Sequence, residues 1–360
     1  MKLVSKLHLE KGNLNIIAYL DFINVLIISI DNLLYKINNK LEISKCIEKA
    51  DDQFWVTINN NIYLYDEESL INYIDLDNCI LLPVFEGRKS IYQSQTNLTC
   101  LMDFDNNTTS LVSINSREII WTHGSIFDFK SLKNSKILYS TKEDHCILEI
   151  IDYQRGNVKW QYSSTPKYDY QKEETIGVFR EKKNNISNII VEHNGLLWIV
   201  LATGILIALD VETGKEKYVL VKPINYKGEY EYRYTGYTKY DSNTNQLFGS
   251  YGNQYWELDL ADPERTFLCY DLSQTMKEHE VDSITCKAWD GKDRIFFGDT
   301  GDNYKIGIFS RSQKTITWSY AIKELRDDSW MSIRQVEYGA GRLYVRDKFN
   351  VLHIFEDEEF

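Results

Sequence analysis

The chain has 360 residues, of which 43% are apolar and 13% aromatic, and this composition can fill a sizeable hydrophobic core. It carries 53 acidic and 41 basic residues, for a formal net charge of -12. A field of that sign repels phosphate backbones and anionic lipid, so nucleic acid and membrane surfaces are poor partners and a basic protein is a better one.

The first ten residues nearly alternate between apolar and polar side chains, which predicts a strand and not a signal peptide. No run of eighteen or more apolar residues occurs, and the apolar-rich segment around residues 25–30 has the length of a strand and is too short to span a membrane. Six cysteines are scattered singly, mostly in apolar segments, and are expected to be buried, reduced core residues: Cys46, Cys79, Cys100, Cys146, Cys269 and Cys286. Together these features favour a cytoplasmic location.

A strand, turn and strand unit recurs along the whole chain. Each unit has an apolar segment with period-two alternation, then a turn of Asp, Asn, Ser or Gly, and often a second segment ending in an aromatic residue. The first segments of the eight units are residues 33–37, 62–66, 111–115, 148–152, 206–210, 255–259, 306–309 and 352–355. Another strand precedes most units and helical periodicity is absent, so the sequence predicts an all-β protein.

Three or four strands per unit, spaced by roughly 30 to 60 residues, are typical of β-propeller blades. We therefore predict one domain over residues 1–360, a single β-propeller of about eight mostly four-stranded blades. The first two units are crowded and could form one irregular blade, which leaves seven blades as an alternative. The last unit has no room for an outermost strand, and residues 2–9 are expected to supply it, closing the ring and removing two exposed sheet edges.

The segment from Gly204 to Tyr218 resembles the repeat of pyrroloquinoline quinone-type, or quinoprotein-like, β-propellers, and residues 152–160 form a weaker second copy. In this repeat the Asp starts a turn that the Gly completes, and the closing aromatic packs between blades. The resemblance implies the architecture and not a role, because such folds host unrelated functions. Enzymes of that family bind a quinone and a metal ion and commonly carry adjacent cysteines. This chain has no adjacent cysteines and lacks regular tryptophans at the blade junctions. We therefore interpret it as a degenerate, non-enzymatic member without a cofactor.

Motifs that would carry chemistry are missing from the sequence. The six histidines lie far apart, and no nucleophile elbow, P-loop or dinucleotide fingerprint occurs, so we predict neither catalytic residues nor a metal site. The segment from Asp103 has a weak likeness to a calcium loop. Thr108 stands where that loop needs Gly and Ile114 where it needs Glu, so a hairpin turn is predicted instead.

The most irregular stretch is residues 221–240, here called the tyrosine segment. Tyrosine offers a large contact area with few rotatable bonds, and loops on rigid scaffolds often carry function. The candidate partner-binding residues are Tyr226, Tyr230, Tyr232, Tyr234, Tyr237 and Tyr240. Alternatively, residues 229–234 form a strand that extends the next blade. A second insertion, residues 163–185, is interpreted as a solvated loop, with an interface as the alternative.

The leading hypothesis is a cytoplasmic, protein-binding β-propeller. One concrete form is a bacterial immunity protein that neutralises a toxin, suggested by the acidic balance and the missing catalytic motifs, and its partner would be a basic toxin domain. A second hypothesis is an enzyme, a hydrolase, lyase or oxidoreductase, with polar side chains converging in the propeller channel. A third is a scaffold subunit of a larger assembly.

Overall fold

The fold was obtained as a computed structural model. It describes residues 1–7, 14–20, 25–49, 53–58, 61–66, 71–76, 78, 80–85, 89–91, 98–103, 106–113, 116, 118–125, 130–132, 137–142, 145–165, 170–172, 180–182, 185–226, 238–298, 304–325 and 333–357. Within these residues, β-strands form eight four-stranded sheets and one two-stranded sheet, and every strand pair is antiparallel. The predicted all-β class is confirmed.

The strands of the first half follow one another along the chain, four to a sheet. They are β1 (Lys2–Leu7); β2 (Leu14–Leu20), β3 (Val25–Ile30), β4 (Leu33–Ile37) and β5 (Ile43–Glu48) in sheet 1; β6 (Gln53–Ile58), β7 (Asn61–Asp66), β8 (Ile71–Asp75) and β9 (Ile80–Phe85) in sheet 2; β10 (Lys89–Ile91), β11 (Leu98–Asp103), β12 (Thr108–Ser113) and β13 (Glu118–His123) in sheet 3; and β14 (Lys130–Ser131), β15 (Leu138–Lys142), β16 (Ile147–Ile151) and β17 (Val158–Ser163) in sheet 4.

The second half continues the pattern with a hairpin and three short helices added. Its elements are β18 (Tyr170–Lys172) and β19 (Arg180–Lys182) in the hairpin; β20 (Ile186–His193), β21 (Leu196–Leu201), β22 (Leu206–Asp210) and β23 (Glu216–Leu220) in sheet 5; β24 (Lys239–Asp241), β25 (Gln246–Tyr251), β26 (Gln254–Asp259), α1 (Pro263–Thr266) and β27 (Leu268–Asp271) in sheet 6; α2 (Ser273–His279); β28 (Thr285–Trp289), β29 (Arg294–Gly298), β30 (Lys305–Ser310) and β31 (Thr315–Ala321) in sheet 7; a 3₁₀ turn (Lys323–Leu325); and β32 (Ile333–Gly339), β33 (Arg342–Asp347) and β34 (Leu352–Glu356), which form sheet 8 with β1.

Both ends of the chain contribute to sheet 8. The strand β1 pairs with β34, with Leu3 opposite Phe355 and Leu7 opposite Leu352. The order of sheet 8 is β1-β34-β33-β32, so the first strand of the chain supplies the outermost strand of the last sheet. This is the pairing that the sequence predicts.

The chain divides into two compact units. Unit 1 comprises residues 1–48, 223–227 and 236–360 and holds sheets 1, 6, 7 and 8. Unit 2 comprises residues 49–222 and 228–235 and holds sheets 2 to 5. The single-domain organisation over residues 1–360 stays a prediction.

Within each unit, neighbouring sheets pack face to face through buried apolar side chains. In unit 1, sheet 6 packs on sheet 7, sheet 7 on sheet 8, and sheet 8 on sheet 1. In unit 2, sheet 3 packs on sheet 4 and sheet 4 on sheet 5. Middle strands such as β21 and β29 are buried on both faces, which explains their continuous apolar runs. Fully burying one large apolar side chain stabilises the fold by about 1.5 to 3 kcal/mol.

A tryptophan fastens neighbouring sheets at two places in unit 2, here called the tryptophan junctions. Trp160 Nε1 donates to Val211 O at 2.7 Å, and its ring covers the turn that starts at Asp210 and ends at Gly214. Gly214 has φ +70°, and a Cβ there would lie 2.6 Å from the ring. Trp121 makes the same contacts with the turn that ends at Gly156: its Nε1 donates to the carbonyl of the residue after Asp152, at 3.0 Å. These contacts agree with the expectation that the closing aromatic of the repeat packs against the next sheet, and at these two places they correct the expectation that the chain lacks regular tryptophans at such junctions.

A buried arginine fastens sheet 6 to sheet 7 in unit 1, at the arginine junction. Arg311 Nη1 donates to Asp241 Oδ2 at 2.7 Å, and Arg311 Nε donates to the Tyr255 hydroxyl at 3.2 Å. The guanidinium carbon lies 3.8 Å from the centre of the Phe248 ring, and Gln246 Oε1 accepts from Nη2 at 3.2 Å. The side chains of both Arg311 and Asp241 are less than a tenth exposed.

Several details differ from the sequence predictions. The two crowded first units fold as separate sheets, with β4 in sheet 1 and β7 in sheet 2. Residues 163–185, predicted as a loop, contain the hairpin β18-β19, which aromatic and alternating residues favour. The helices α1 and α2 have only four and seven residues, which is too short for a helical period to show in the sequence.

Candidate functional site

The structure describes two of the six predicted partner-binding tyrosines, Tyr226 and Tyr240. Both are half-buried. The other four, Tyr230, Tyr232, Tyr234 and Tyr237, lie outside the described residues, and their proposed role stays a prediction.

The N-terminal flank of the tyrosine segment is attached to β27, the last strand of sheet 6. Ile224 N donates to Phe267 O at 2.9 Å. The Asn225 side chain then pairs with the backbone of Cys269: Nδ2 donates to its carbonyl at 2.7 Å, and Oδ1 accepts its N–H at 2.8 Å. An amide side chain therefore occupies the outer edge of sheet 6 in the way a further strand would, while the Ile224 side chain is 59% exposed.

The C-terminal flank enters β24, the first strand of the same sheet. Tyr240 belongs to this strand, and its hydroxyl donates to Asn245 Oδ1 at 3.0 Å. Burial, followed by the negative charge of Asp241, raises the pKa of Tyr240. Tyr240 is thus anchored in the sheet, and the segment begins and ends on opposite edges of sheet 6.

A second feature, which the sequence analysis did not find, is a cavity of about 210 Å³ in unit 1. We call it the basic cavity. It lies between the first strands of sheets 1, 7 and 8, and its lining residues are Ile16, Lys287, Arg334, Gln335, Val336 and Glu337. The Gln335 side chain forms one wall, because its Oε1 accepts Ile16 N–H at 2.9 Å and its Nε2 donates to Ile16 O at 3.2 Å.

Two β-bulges place the cations of this cavity. The pairing of β28 with β29 shifts register between Cys286 and Ala288, so Lys287 is the extra residue. The pairing of β32 with β33 shifts between Ile333 and Gln335, so Arg334 is the extra residue there. A bulge re-aims a side chain out of the regular alternation, and here it brings a cation from each of two neighbouring sheets into one cavity.

Other predicted features have simple structural outcomes. The strands β11 and β12 pair antiparallel, and Asn106 in the turn donates to the Asp103 carboxylate, so the predicted hairpin at Asp103 is confirmed. Among the described residues, no three His, Cys, Asp or Glu side chains group in a way that could hold a metal ion. Cys286 is a buried core residue as predicted, and burial raises the pKa of its thiol to about 11.

None of the helices in the described part of the chain is long and apolar enough to cross a membrane.

Comparison with known proteins gives matches in structure only. No protein-family model matches the chain, and no curated protein matches it in sequence. Among solved structures, the chain is similar to BamB from Moraxella catarrhalis, with 13% identity and a TM-score of 0.54 over 99% of this chain and 98% of that one. It is also similar to Sqt1 from Saccharomyces cerevisiae, with 10% identity and a TM-score of 0.62 over the whole of both chains.

A third similar structure is the C-terminal WD40 domain of Sif2, with 12% identity and a TM-score of 0.55 over 96% of this chain and 98% of that one. Identities this low show the fold alone. The finer resemblance to the pyrroloquinoline quinone-type repeat stays a prediction. The repeated four-stranded antiparallel sheets and these likenesses together show that the chain has the fold of the β-propeller repeat proteins.

Proposed function

We propose that the protein is a binding propeller that uses the tyrosine segment to grip another protein. The observation that carries this proposal is the attachment of both flanks of the segment to sheet 6, through Asn225 on β27 and Tyr240 on β24. A loop whose ends are held by a packed sheet loses less conformational entropy on binding than a free one. Tyrosines add contact area, and because they have few rotatable bonds they lose little side-chain entropy on binding, which suits recognition.

The partner is proposed to be basic. The net charge of -12 would steer a basic surface toward this protein and raise the association rate at low salt. The immunity-protein form of the proposal follows from this charge, with a basic toxin domain as the partner. The singly spaced cysteines support the accompanying proposal of a cytoplasmic location.

We also propose that the eight sheets are the blades of one closed propeller. The support is the composition of sheet 8, in which β1 and β34 come from opposite ends of the chain. Pairing the first strand of the chain into the last blade joins the first blade to the last and leaves fewer exposed sheet edges.

Affinity capture from the organism that encodes the chain, followed by mass spectrometry, tests the binding role. Three forms are used as bait: the wild type, a variant with Tyr230, Tyr232 and Tyr234 changed to Ser, and a control with Ile43→Ser and Ile119→Ser. The control removes apolar side chains that are 47% and 53% exposed on sheets 1 and 3. We expect a protein captured by the wild type and the control and lost with the tyrosine variant.

Two further measurements define the partner. Its association rate with the wild type should fall as salt is raised, because screening removes electrostatic steering. Co-expression with the genes beside the one for this chain should restrain a toxin if the immunity form is right. Capture of the same proteins by all three baits would contradict the role of the tyrosine segment.

A further inference from the structure

The outermost strand carries a β-bulge in seven of the eight four-stranded sheets. In sheet 5, Ala208 lies opposite Tyr218 and Leu209 opposite Glu216, so Lys217 is an extra residue in β23. The strands β1, β5, β9, β13, β17 and β31 each contain one extra residue in the same way. A bulge interrupts the row of backbone groups along a sheet edge and so hinders its pairing with a strand of another molecule.

The outermost strand of sheet 6 is regular. The strand β27 pairs with β26 without a shift of register, from Glu257 opposite Leu268 to Gln254 opposite Asp271. A regular edge keeps its outward backbone groups at the spacing of a β-ladder, which is what a further strand needs for pairing. Among the eight outermost strands that the structure describes, β27 is therefore the one suited to accept an extended chain.

An amide side chain covers this edge where a strand could pair. In an antiparallel pair, two opposite residues exchange both of their N–H···O bonds. The Asn225 amide makes both of these bonds with Cys269, since its Nδ2 donates to the carbonyl at 2.7 Å and its Oδ1 accepts the N–H at 2.8 Å. Both outward groups of Cys269 are therefore aligned as they would be for a residue of a neighbouring strand.

The cover is small and lies at the surface. Its chain is folded as a turn, in which Tyr226 N donates to Pro223 O at 3.1 Å, and Ile224 N donates to Phe267 O at 2.9 Å. The side chains of Ile224 and Asn225 are both exposed. Water competes for exposed hydrogen bonds, so such a turn opens more readily than a packed strand.

The part of the chain that contains β27 is acidic. Residues 257–272 include one basic residue, Arg265, and five acidic ones: Glu257, Asp259, Asp262, Glu264 and Asp271. Of these, Asp262, Glu264 and Asp271 are exposed. A second copy of the chain would bring the same acidic residues and its own net charge of -12 to this edge, whereas a basic segment would be attracted.

We propose that the regular edge of sheet 6 binds an extended, basic segment of the partner protein, which adds a strand to β27 and displaces the Asn225 amide. This proposal rests on the binding role proposed above and specifies how the partner is held. In strand addition, main-chain hydrogen bonds supply affinity and alternate side chains supply specificity. Without the partner, Asn225 keeps the edge from pairing with other chains.

The test is calorimetric titration of the purified full chain with a capped peptide in which Lys and Val alternate over about seven residues, the length of a strand. The proteins are the wild type, Asn225→Ala and Asn243→Ala. Asn243 is an exposed asparagine in the turn after β24, on the opposite edge of sheet 6, and serves as the matched control. Two further peptides are compared, one N-methylated along its backbone with the same charge, and one with Glu in place of Lys.

We expect Asn225→Ala to bind the Lys-Val peptide at least about tenfold more tightly than the wild type or Asn243→Ala, because the amide no longer competes for the backbone of Cys269. The N-methylated peptide cannot donate the ladder hydrogen bonds and should lose this gain, and the Glu peptide should bind more weakly. Equal affinity of Asn225→Ala and the wild type would overturn the proposal. Equal binding of the N-methylated and unmodified peptides would do the same.

Hydrogen–deuterium exchange places the bound peptide. Residues 267–271 should exchange faster in Asn225→Ala than in the wild type, and the Lys-Val peptide should restore their protection. The thermal unfolding midpoints of Asn225→Ala and Asn243→Ala should agree, which shows that both are folded. Binding of the peptide without any protection of residues 267–271 would contradict strand addition to β27.

Sedimentation of Asn225→Ala without peptide tests the other occupant. The variant should stay in the same oligomeric state as the wild type, and a dimer with protected residues 267–271 would make a second copy the occupant and overturn the proposal. Failure of the peptide test, with partner capture still lost in the tyrosine variant, would remove strand addition and leave the binding role. Peptide binding as expected, with the same proteins captured by all three baits, would remove only the role of the tyrosine segment.

Discussion

The tryptophan junctions and the arginine junction fasten neighbouring sheets with opposite chemistry. At the junction made by Trp160, an aromatic ring lies on a turn whose fifth residue, Gly214, leaves space for it. The corresponding turn of sheet 7 begins at Ser310 and ends at Lys314, which also has positive φ, at +57°. There Arg311 points inward to Asp241 in place of the tryptophan contact.

The two kinds of junction differ in the interaction that a single substitution removes. The tryptophan junction depends on shape, because the ring and the glycine fit each other closely. The arginine junction depends on charge, because a buried ion that loses its partner is left uncompensated. Turns of the same geometry therefore take part in two different kinds of contact between neighbouring sheets, and substitutions can distinguish the two.

The largest effect is expected for Arg311→Leu. The substitution keeps apolar packing against Phe248 but leaves Asp241 buried without its cation, at a cost of about 3 to 5 kcal/mol. Burial alone would raise the pKa of Asp241, yet the hydrogen bond from Arg311, hydrogen bonds from Asn243 and Thr244 and the charge of Arg311 lower it. The stabilisation is therefore present above the ordinary pKa of about 3.9 and is lost as pH falls through the lowered value.

Urea unfolding at pH 7 and pH 3 measures this effect. The difference between the wild type and Arg311→Leu should be largest at pH 7 and should shrink at pH 3, below the ordinary pKa of an aspartate, where the unpaired Asp241 of the variant becomes protonated. A difference that does not depend on pH would mean that the arginine acts through packing alone.

The second effect is expected for Gly214→Ala, with Gly195→Ala as its matched control. Both glycines have φ near +70°, but a Cβ at Gly195 meets no atom within 4 Å, whereas one at Gly214 meets the Trp160 ring. The backbone conformation alone costs roughly 1 to 2 kcal/mol in each variant. Overpacking against the ring should add about 1 to 3 kcal/mol for Gly214→Ala only, as measured by thermal or urea unfolding. Equal losses would show that the ring does not constrain this turn.

A smaller effect is expected for Trp160→Phe. The change keeps an aromatic ring on Gly214 but removes the hydrogen bond to Val211 O, and one such bond contributes about 0.5 to 1.5 kcal/mol. Trp121→Phe should lose a similar amount, because Trp121 donates to Tyr153 O in the same way. Losses in urea unfolding above about 3 kcal/mol would mean that the indole ring packs more tightly than its partial exposure suggests.

The smallest effect is expected for Lys314→Gly. This substitution places a glycine in the turn of sheet 7 at the position that Gly214 occupies in its own turn. Glycine relieves a positive φ by about 1 kcal/mol. The loss of the ion pair between Lys314 and Glu257, and of the contacts of the Lys314 ammonium group with the Tyr255 and Tyr270 rings, offsets this gain. The unfolding midpoint should therefore stay close to that of the wild type. A large loss would move Lys314 into the group of residues that hold the junction together.

The parts of the fold that follow from local patterns could be predicted from the sequence. Alternating segments such as β22 and the Asp-to-Gly turn after it were identified because their chemistry lies in neighbouring residues. Arg311 could not be predicted as a buried residue, because its partners are 56 to 70 positions away in the chain. For a similar reason, Lys287 and Arg334 could not be predicted to line the basic cavity, since nothing in the residues around them indicates a bulge.

The candidate site was predictable only in part. The composition of the tyrosine segment drew attention to it, and Tyr240 in β24 shows that part of it belongs to a sheet. The role of Asn225 in attaching the segment could not be anticipated, because it depends on Cys269, 44 residues further along the chain. Side chains that pair with a distant backbone leave no periodic trace in a sequence.

The formation of sheet 8 from strands at both ends of the chain is best tested by hydrogen–deuterium exchange of the intact protein. The peptide covering β1 is compared with the one covering β31, since each is the last strand of a four-stranded sheet in unit 1. Paired strands exchange only when the local structure opens. The account predicts that the two peptides retain a similar share of slowly exchanging amides. Complete exchange of residues 2–7 within seconds, with β31 still protected, would contradict it.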